Sequence, residues 1–164
     1  MVKRRKHRHI KRWLKLSKEE RALRVKSLDV LRLIREGKSL TRASGELGLK
    51  PDTVRHNLGS VLYKCKRKWR AKKSDTLERE LIIYENGRRR TVIVKGSKQA
   101  AIIGRYYNDV KKGLYSGDWR ALKKYKRTRI KNIYGKTHHL ETDPTKIQEI
   151  ELRREEHELG EIYD

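Results

Sequence analysis

Charge constrains this chain before any local pattern does. Forty-five Lys and Arg stand against 21 Asp and Glu in 164 residues, a formal net charge of +24. Self-repulsion on that scale opposes compaction unless a polyanion relieves it. With 40% of residues charged, 35% hydrophobic and no Phe, a single large core is out of reach, and the folded units must be small. The charge is also uneven. Residues 1–140 hold 42 basic and 12 acidic side chains, a net +30, whereas residues 141–164 hold 3 and 9, a net −6. An acidic tail therefore opposes a basic body, as a candidate autoinhibitor.

The same composition excludes other classes. Between Lys3 and Lys18 only Ile10, Trp13, Leu14 and Leu16 are apolar, too few for the broad apolar face of a membrane-surface helix. No window reaches the roughly 18 apolar residues of a spanning helix. A basic start without an apolar run is not a signal peptide, so the expected location is the cytoplasm, on the nucleoid. The single Cys65 rules out an internal disulfide framework, and its place in Lys64-Cys65-Lys66-Arg67-Lys68 reads as an incidental cysteine at a helix end.

Residues 1–26 read as a basic arm or helix, with Ser17-Lys18-Glu19-Glu20 as a capping box. Residues 27–72 read as three short helices. Leu28, Leu31 and Ile34 have helical spacing before Gly37, and Ser39 or Thr41 caps a second helix that buries Ala43 and Leu47. Gly48 makes a turn, and Pro51-Asp52 open the third helix. Carried to Tyr63, its period places Val54, Leu58, Val61 and Leu62 on one face and Asp52, Arg55, His56, Gly59 and Tyr63 on the other. Lys64 to Lys73, with seven basic residues, reads as a basic helix end and linker.

Residues 77–144 read as a small α+β domain. Leu81–Tyr84 and Thr91–Val94 flank Asn86-Gly87, the mark of a two-residue hairpin turn. Ala100, Ala101, Ile103, Tyr107 and Val110 then recur at helical spacing up to the glycines at 113 and 117. Lys126–Ile133 fits helix or strand, and Tyr134-Gly135-Lys136 a turn. Residues 145–164 read as an acidic, helix-like tail with no core to join. The expected fold is thus mainly α with a small α+β part: a helix-turn-helix three-helix domain, then a hairpin-plus-helix domain, with a basic N-terminal arm and an acidic C-terminal tail.

The run from Arg42 to Arg55, above all Leu47-Gly48-Leu49-Lys50-Pro51-Asp52-Thr53-Val54-Arg55, resembles the helix-turn-helix of LuxR-type response regulators and of region 4 of sigma factors. The resemblance extends over residues 28–72. It implies a recognition helix opening at Asp52, with Asp52, Thr53, Arg55, His56 and Ser60 towards the major groove and Arg55 able to bond guanine in bidentate fashion. The chain departs from the LuxR type in having no receiver domain, and from sigma factors in having no recognisable polymerase-binding region. Residues 88–144 are faintly similar to uncharacterised actinobacterial helix-turn-helix proteins, at Gly104-Arg105-Tyr106 and Thr142-Asp143-Pro144.

Phosphate contacts fall to Arg4, Arg5, Lys6 and Arg8 in the arm; to Lys50, Lys64, Lys66, Arg67, Lys68 and Arg70 around the third helix; and to Lys123, Lys124 and Arg127 further on. Trp13, Trp69 and Trp119 lie among basic residues, a pattern that also suits base stacking, although Trp69 and Trp119 are better used in small cores. His138-His139 reads as loop rather than metal site, because adjacent histidines do not readily share a tetrahedral ion. No nucleophile motif, Walker loop or zinc signature is present, so neither catalysis nor a cofactor is expected. The expected partner is double-stranded DNA, bound as a transcriptional regulator, with a second domain that contacts DNA or mediates homodimerisation. The alternative is an RNA-binding structural component of a ribonucleoprotein.

Overall fold

The computed structural model describes residues 10–163, with side chains through residue 158. The chain divides into two compact units, residues 1–77 and 78–164. Helices are joined by small antiparallel hairpins, each a two-stranded sheet of its own.

The first unit holds α1 (Lys18–Arg35), α2 (Leu40–Glu46) and α3 (Pro51–Leu58), followed by β1 (Leu62–Cys65) and β2 (Lys68–Ala71). Helix α1 starts at the capping box: the Ser17 hydroxyl accepts from the Glu20 backbone N–H at 3.2 Å. It ends in a glycine lock, in which Gly37 N–H reaches Ile34 C=O at 3.0 Å and Lys38 N–H reaches Leu33 C=O at 3.1 Å. The same pattern closes α2, with Gly48 N–H on Gly45 C=O at 3.1 Å and Leu49 N–H on Ser44 C=O at 2.9 Å. Gly37 and Gly48 both have positive φ, which only glycine adopts at no steric cost. Ser39, rather than Thr41, caps α2, accepting from Arg42 N–H at 3.2 Å. Val30, Leu31, Ile34, Leu40, Ala43, Val54, Leu58, Val61, Leu62 and Leu77 form the core.

Within residues 1–26, read as arm or helix, α1 does begin at the capping box, and Trp13–Lys15 ahead of it is a 3₁₀ turn with Trp13 and Leu16 buried. The Arg21 side chain holds that turn, donating to the Trp13 carbonyl at 3.3 Å with its guanidinium 5.5 Å from the indole. The third helix, by contrast, is shorter than its apolar period suggests. It stops at Leu58 because Gly59 takes φ +55°, in a space where a Cβ would lie 2.6 Å from Ile10 Cδ1. Val61 and Leu62 still reach the core, but from a 3₁₀ turn (Gly59–Val61) and from β1.

Lys64–Lys73 is accordingly a hairpin and not a helix end or linker. Cys65 lies half-buried in β1, Tyr63 pairs with Arg70 and Lys64 with Trp69, and Lys72 N–H closes the ladder on Val61 C=O at 2.9 Å. The two-residue turn is Lys66-Arg67, with φ of 49° and 67°. A turn of this kind needs positive φ at both positions and normally recruits Asn or Gly, so the usual composition signal is missing.

The second unit is built on β3 (Glu78–Glu85) and β4 (Arg88–Lys95), joined at Asn86-Gly87, both with positive φ. Helix α4 (Ser97–Ser116) packs on this hairpin and runs through Gly113 to a left-handed cap at Gly117. A 3₁₀ segment (Arg120–Tyr125) leads to β5 (Arg129–Lys131) and β6 (Thr137–His139), so the stretch that fitted helix or strand is strand over Arg129–Lys131, with turns on either side. The core comprises Ile83, Tyr84, Val92, Val94, Ile103, Tyr106, Val110, Leu122, Tyr125, Ile130, Leu140, Ile147 and Ile150.

The last two core residues overturn the free acidic tail. They belong to α5 (Pro144–Tyr163) and are 0% and 3% exposed. Asp143 starts this helix, its carboxylate accepting from Thr145 N–H at 2.9 Å with Pro144 at the first position. A helix whose apolar residues fill the unit's core is part of its fold, not a detachable autoinhibitor. Nor are the paired histidines a loop: His138 is buried in β6, and its Nδ1 meets Glu85 at 2.9 Å.

Candidate nucleic-acid interface

Helix α3 separates its residues sharply. Val54 and Leu58 are wholly buried, whereas Asp52, Arg55 and His56 are exposed and Thr53 is half-buried. Its rotation is fixed from below by a polar contact that sequence reasoning missed. Arg24 of α1, 4% exposed, donates through Nε to Asn57 Oδ1 at 3.4 Å, and Asn57 Nδ2 donates to the Thr53 carbonyl at 3.0 Å. In the sequence Arg24 looks like one more arm cation. Only a tertiary neighbour distinguishes it.

Arg55 is held on two sides. Its Nη2 lies 3.2 Å from Asp52, and its guanidinium sits 4.8 Å from the centroid of Trp69 on β2. Lys64 approaches the same ring at 6.0 Å. Trp69 is therefore half-buried and covered by cations rather than presented for base stacking. A guanidinium stacked on an aromatic face keeps its in-plane N–H donors, so the Trp69 contact uses none of the Arg55 fork, of which Asp52 engages Nη2. Such a contact contributes about 0.5–1 kcal/mol at an exposed site.

The remaining expected contacts divide by position. Lys50 is exposed as the residue that precedes α3. Ser60 is exposed but stands in the 3₁₀ turn beyond the helix, so it does not share the face of Asp52, Arg55 and His56. Lys64, Lys66, Arg67, Lys68 and Arg70 are all exposed on the β1–β2 hairpin, with Lys66 and Arg67 at its tip. An open groove of about 750 Å³ runs beside this hairpin, lined by Lys38, Thr41, Tyr63, Arg67, Arg70 and Lys73 among others. Arg4, Arg5, Lys6 and Arg8 lie outside the described residues.

Lys123, Lys124 and Arg127 belong to the second unit. All are exposed, but Lys124 is 3.3 Å from Asp109 and 5.2 Å from the Tyr125 ring, which leaves Lys123 and Arg127 as the less committed pair. The Tyr125 hydroxyl is pushed up to about 12 by burial and by its 2.6 Å bond to Asp109.

The buried histidine is braced rather than poised for chemistry. Glu85 receives His138 Nδ1 on one oxygen and the His139 N–H on the other at 2.6 Å, and Asn132 Nδ2 lies 3.0 Å from His138 Nε2. Burial pushes the Glu85 carboxyl up, but these bonds and Arg90 at 3.8 Å outweigh it and hold Glu85 below its ordinary value. Both ring nitrogens are occupied, which ties the end of β3 to the β5–β6 hairpin. Among the described residues no group of His, Cys, Asp and Glu could hold a metal ion, and no helix is long and apolar enough to cross a membrane.

No protein-family model, curated protein or solved structure matches the chain.

Proposed function

We propose that this chain is a sequence-selective double-stranded-DNA-binding protein acting as a transcriptional regulator, in which α2 and α3 form a helix-turn-helix and α3 reads the major groove. The observation that carries this reading is the division of α3. Val54 and Leu58 are at 0% exposure while Asp52, Arg55 and His56 face solvent from its first two turns. A major groove about 12 Å wide admits a helix of this kind. Arg55, ordered by Trp69 and Asp52, is suited to the acceptor pair of guanine, Asp52 to a cytosine amine, and His56 and Thr53 to neighbouring edges. Lys50, Lys64 and the basic hairpin then supply phosphate contacts, which place the helix without carrying sequence information. The net charge of +24 supports a polyanionic partner of either kind, so the α3 face is what favours duplex DNA over RNA.

The test is competition binding of wild type and Arg55→Ala at about 150 mM salt, near physiological, against a random duplex-DNA pool and a structured RNA pool. The expected result is duplex preference with enriched sites, and a loss of about 1–3 kcal/mol at one guanine position in Arg55→Ala. Palindromic enriched sites would mark a homodimer. An RNA preference indifferent to Arg55 overturns the reading in favour of a ribonucleoprotein component.

A further inference from the structure

The second unit carries a cationic groove that belongs to none of the contacts above. It has a volume of about 580 Å³ and lies between β4 and α5, lined by Arg88, Arg89, Arg153, Arg154 and His157 over Ile82, Thr91 and Ile150. Its charges are unequally committed. Arg154 is held by Glu151 at 2.8 Å and Glu158 at 3.5 Å. Arg89 donates to the Tyr107 hydroxyl at 3.1 Å, with its guanidinium 5.8 Å from that ring. Glu151 also accepts from the Tyr84 hydroxyl at 2.5 Å. Arg88 and Arg153 are exposed, and neither has a carboxylate partner among the described residues.

Guanidiniums gathered in this way repel one another, and a groove with apolar walls strengthens their joint field. Helix α5 is held in place beside them by Ile147 and Ile150, both buried in the core. Arg88 and Arg153, without carboxylate partners among the described residues, enter from different elements; Arg153 Nε donates to the Glu149 carbonyl at 3.4 Å, which leaves its terminal nitrogens to match the geometry of phosphate oxygens. The groove is open rather than enclosed, and Ile82, Thr91 and Ile150 give it a partly apolar lining on which a sugar can rest.

We propose that this groove binds the phosphodiester backbone of a nucleic-acid strand, with Arg88 and Arg153 as its principal phosphate ligands and Arg89 as a pre-ordered third. The inference rests on the nucleic-acid reading of the chain but not on α3 as the reader. It makes the chain bivalent: one unit selects sequence, and the other adds backbone affinity that is indifferent to sequence. It also gives α5 a role opposite to that of an acidic counter-ion, since the helix brings Arg153 and Arg154 to the groove.

The experiment compares full-length wild type, Arg88→Gln/Arg153→Gln, and the charge-matched control Lys98→Gln/Lys136→Gln for binding to random-sequence duplex DNA and to structured RNA across a salt series. Each phosphate contact contributes about 0.9 to the slope of log affinity against log salt, so the groove variant should lose about 1.8 in slope and roughly thirty-fold in affinity at physiological salt. The control should keep its slope, and Arg88→Lys/Arg153→Lys should retain most of it. An unchanged slope in the groove variant, or an equal fall in the control, overturns the proposal. Arg55→Ala, run alongside, separates the two ideas. If only the groove variant loses slope and Arg55→Ala leaves sequence preference intact, the groove stands and the α3 reading fails. The reverse pattern keeps α3 and removes the groove.

Discussion

Gly113 lies inside α4, where alanine would ordinarily be the better residue by about 1 kcal/mol. Here the opposite is expected, because a Cβ built at Gly113 lies 2.3, 2.5 and 2.6 Å from three carbon atoms of the Trp119 ring. Ordinary contact between such atoms is about 3.5–4.0 Å, so the indole must retreat by about 1 Å. Trp119 packs against the core of the second unit, and forced rearrangements of that kind cost about 1–3 kcal/mol. The clash outweighs the helix propensity, leaving Gly113→Ala destabilised by about 1 kcal/mol net, or about 4–8 °C in midpoint for a unit of this size. A double-mutant cycle tests the cause. In a Trp119→Ala background the clash is gone, and Gly113→Ala should become stabilising by about 1 kcal/mol. Thermal and urea unfolding followed by far-UV circular dichroism reads all four proteins. Stabilisation by Gly113→Ala in the wild-type background, or the same sign of effect in both backgrounds, would refute the reasoning.

Further expectations concern buried polar groups. The Ser44 hydroxyl is fully buried and has no hydrogen-bond partner among the described residues. Ser44→Ala should therefore stabilise the first unit by about 1 kcal/mol, seen as a higher urea midpoint with an unchanged slope, through relief of an unsatisfied group and better helix propensity. A lowered midpoint would show that the hydroxyl is satisfied in solution. Glu85, held below the ordinary carboxyl value of 4.5, contributes stability that is fully present above that value and is lost as pH falls through its folded value. Acid titration of the unfolding midpoint should thus be steeper below about pH 4.5 in wild type than in Glu85→Gln, where the carboxylate is absent. Equal slopes in the two proteins would remove Glu85 from the acid sensitivity.

Local signals were legible wherever a short stretch of backbone needed a particular residue. The capping Ser17, the glycines at 37 and 48, Pro51 at the head of α3 and Asn86-Gly87 in the β3–β4 turn each state a backbone requirement in one or two letters. The α3 pattern likewise identified Asp52, Arg55 and His56 as a shared exposed set. A period failed where it was carried past a break in the backbone. Val61 and Leu62 continue the helical spacing of Val54 and Leu58, yet they are delivered by a turn and a strand, because Gly59 reverses the chain where Ile10 packs.

Composition and periodicity by themselves determined that this chain makes small units, that three short helices precede the β3–β4 hairpin and one helix follows it, and that the molecule carries a large excess of positive charge. Tertiary structure alone decided which cations are free and which are used. Arg24 and Lys124 look the same as Arg88 and Lys123 in the sequence, but Arg24 is buried against Asn57 and Lys124 is paired with Asp109. It also turned an apparently free acidic tail into a core helix, and a basic linker into a hairpin whose Trp69 orders Arg55. The physical reason is common to all of these. A backbone conformation is specified by neighbours along the chain, whereas the burial and pairing of a charge depend on partners distant in sequence, which no local pattern records.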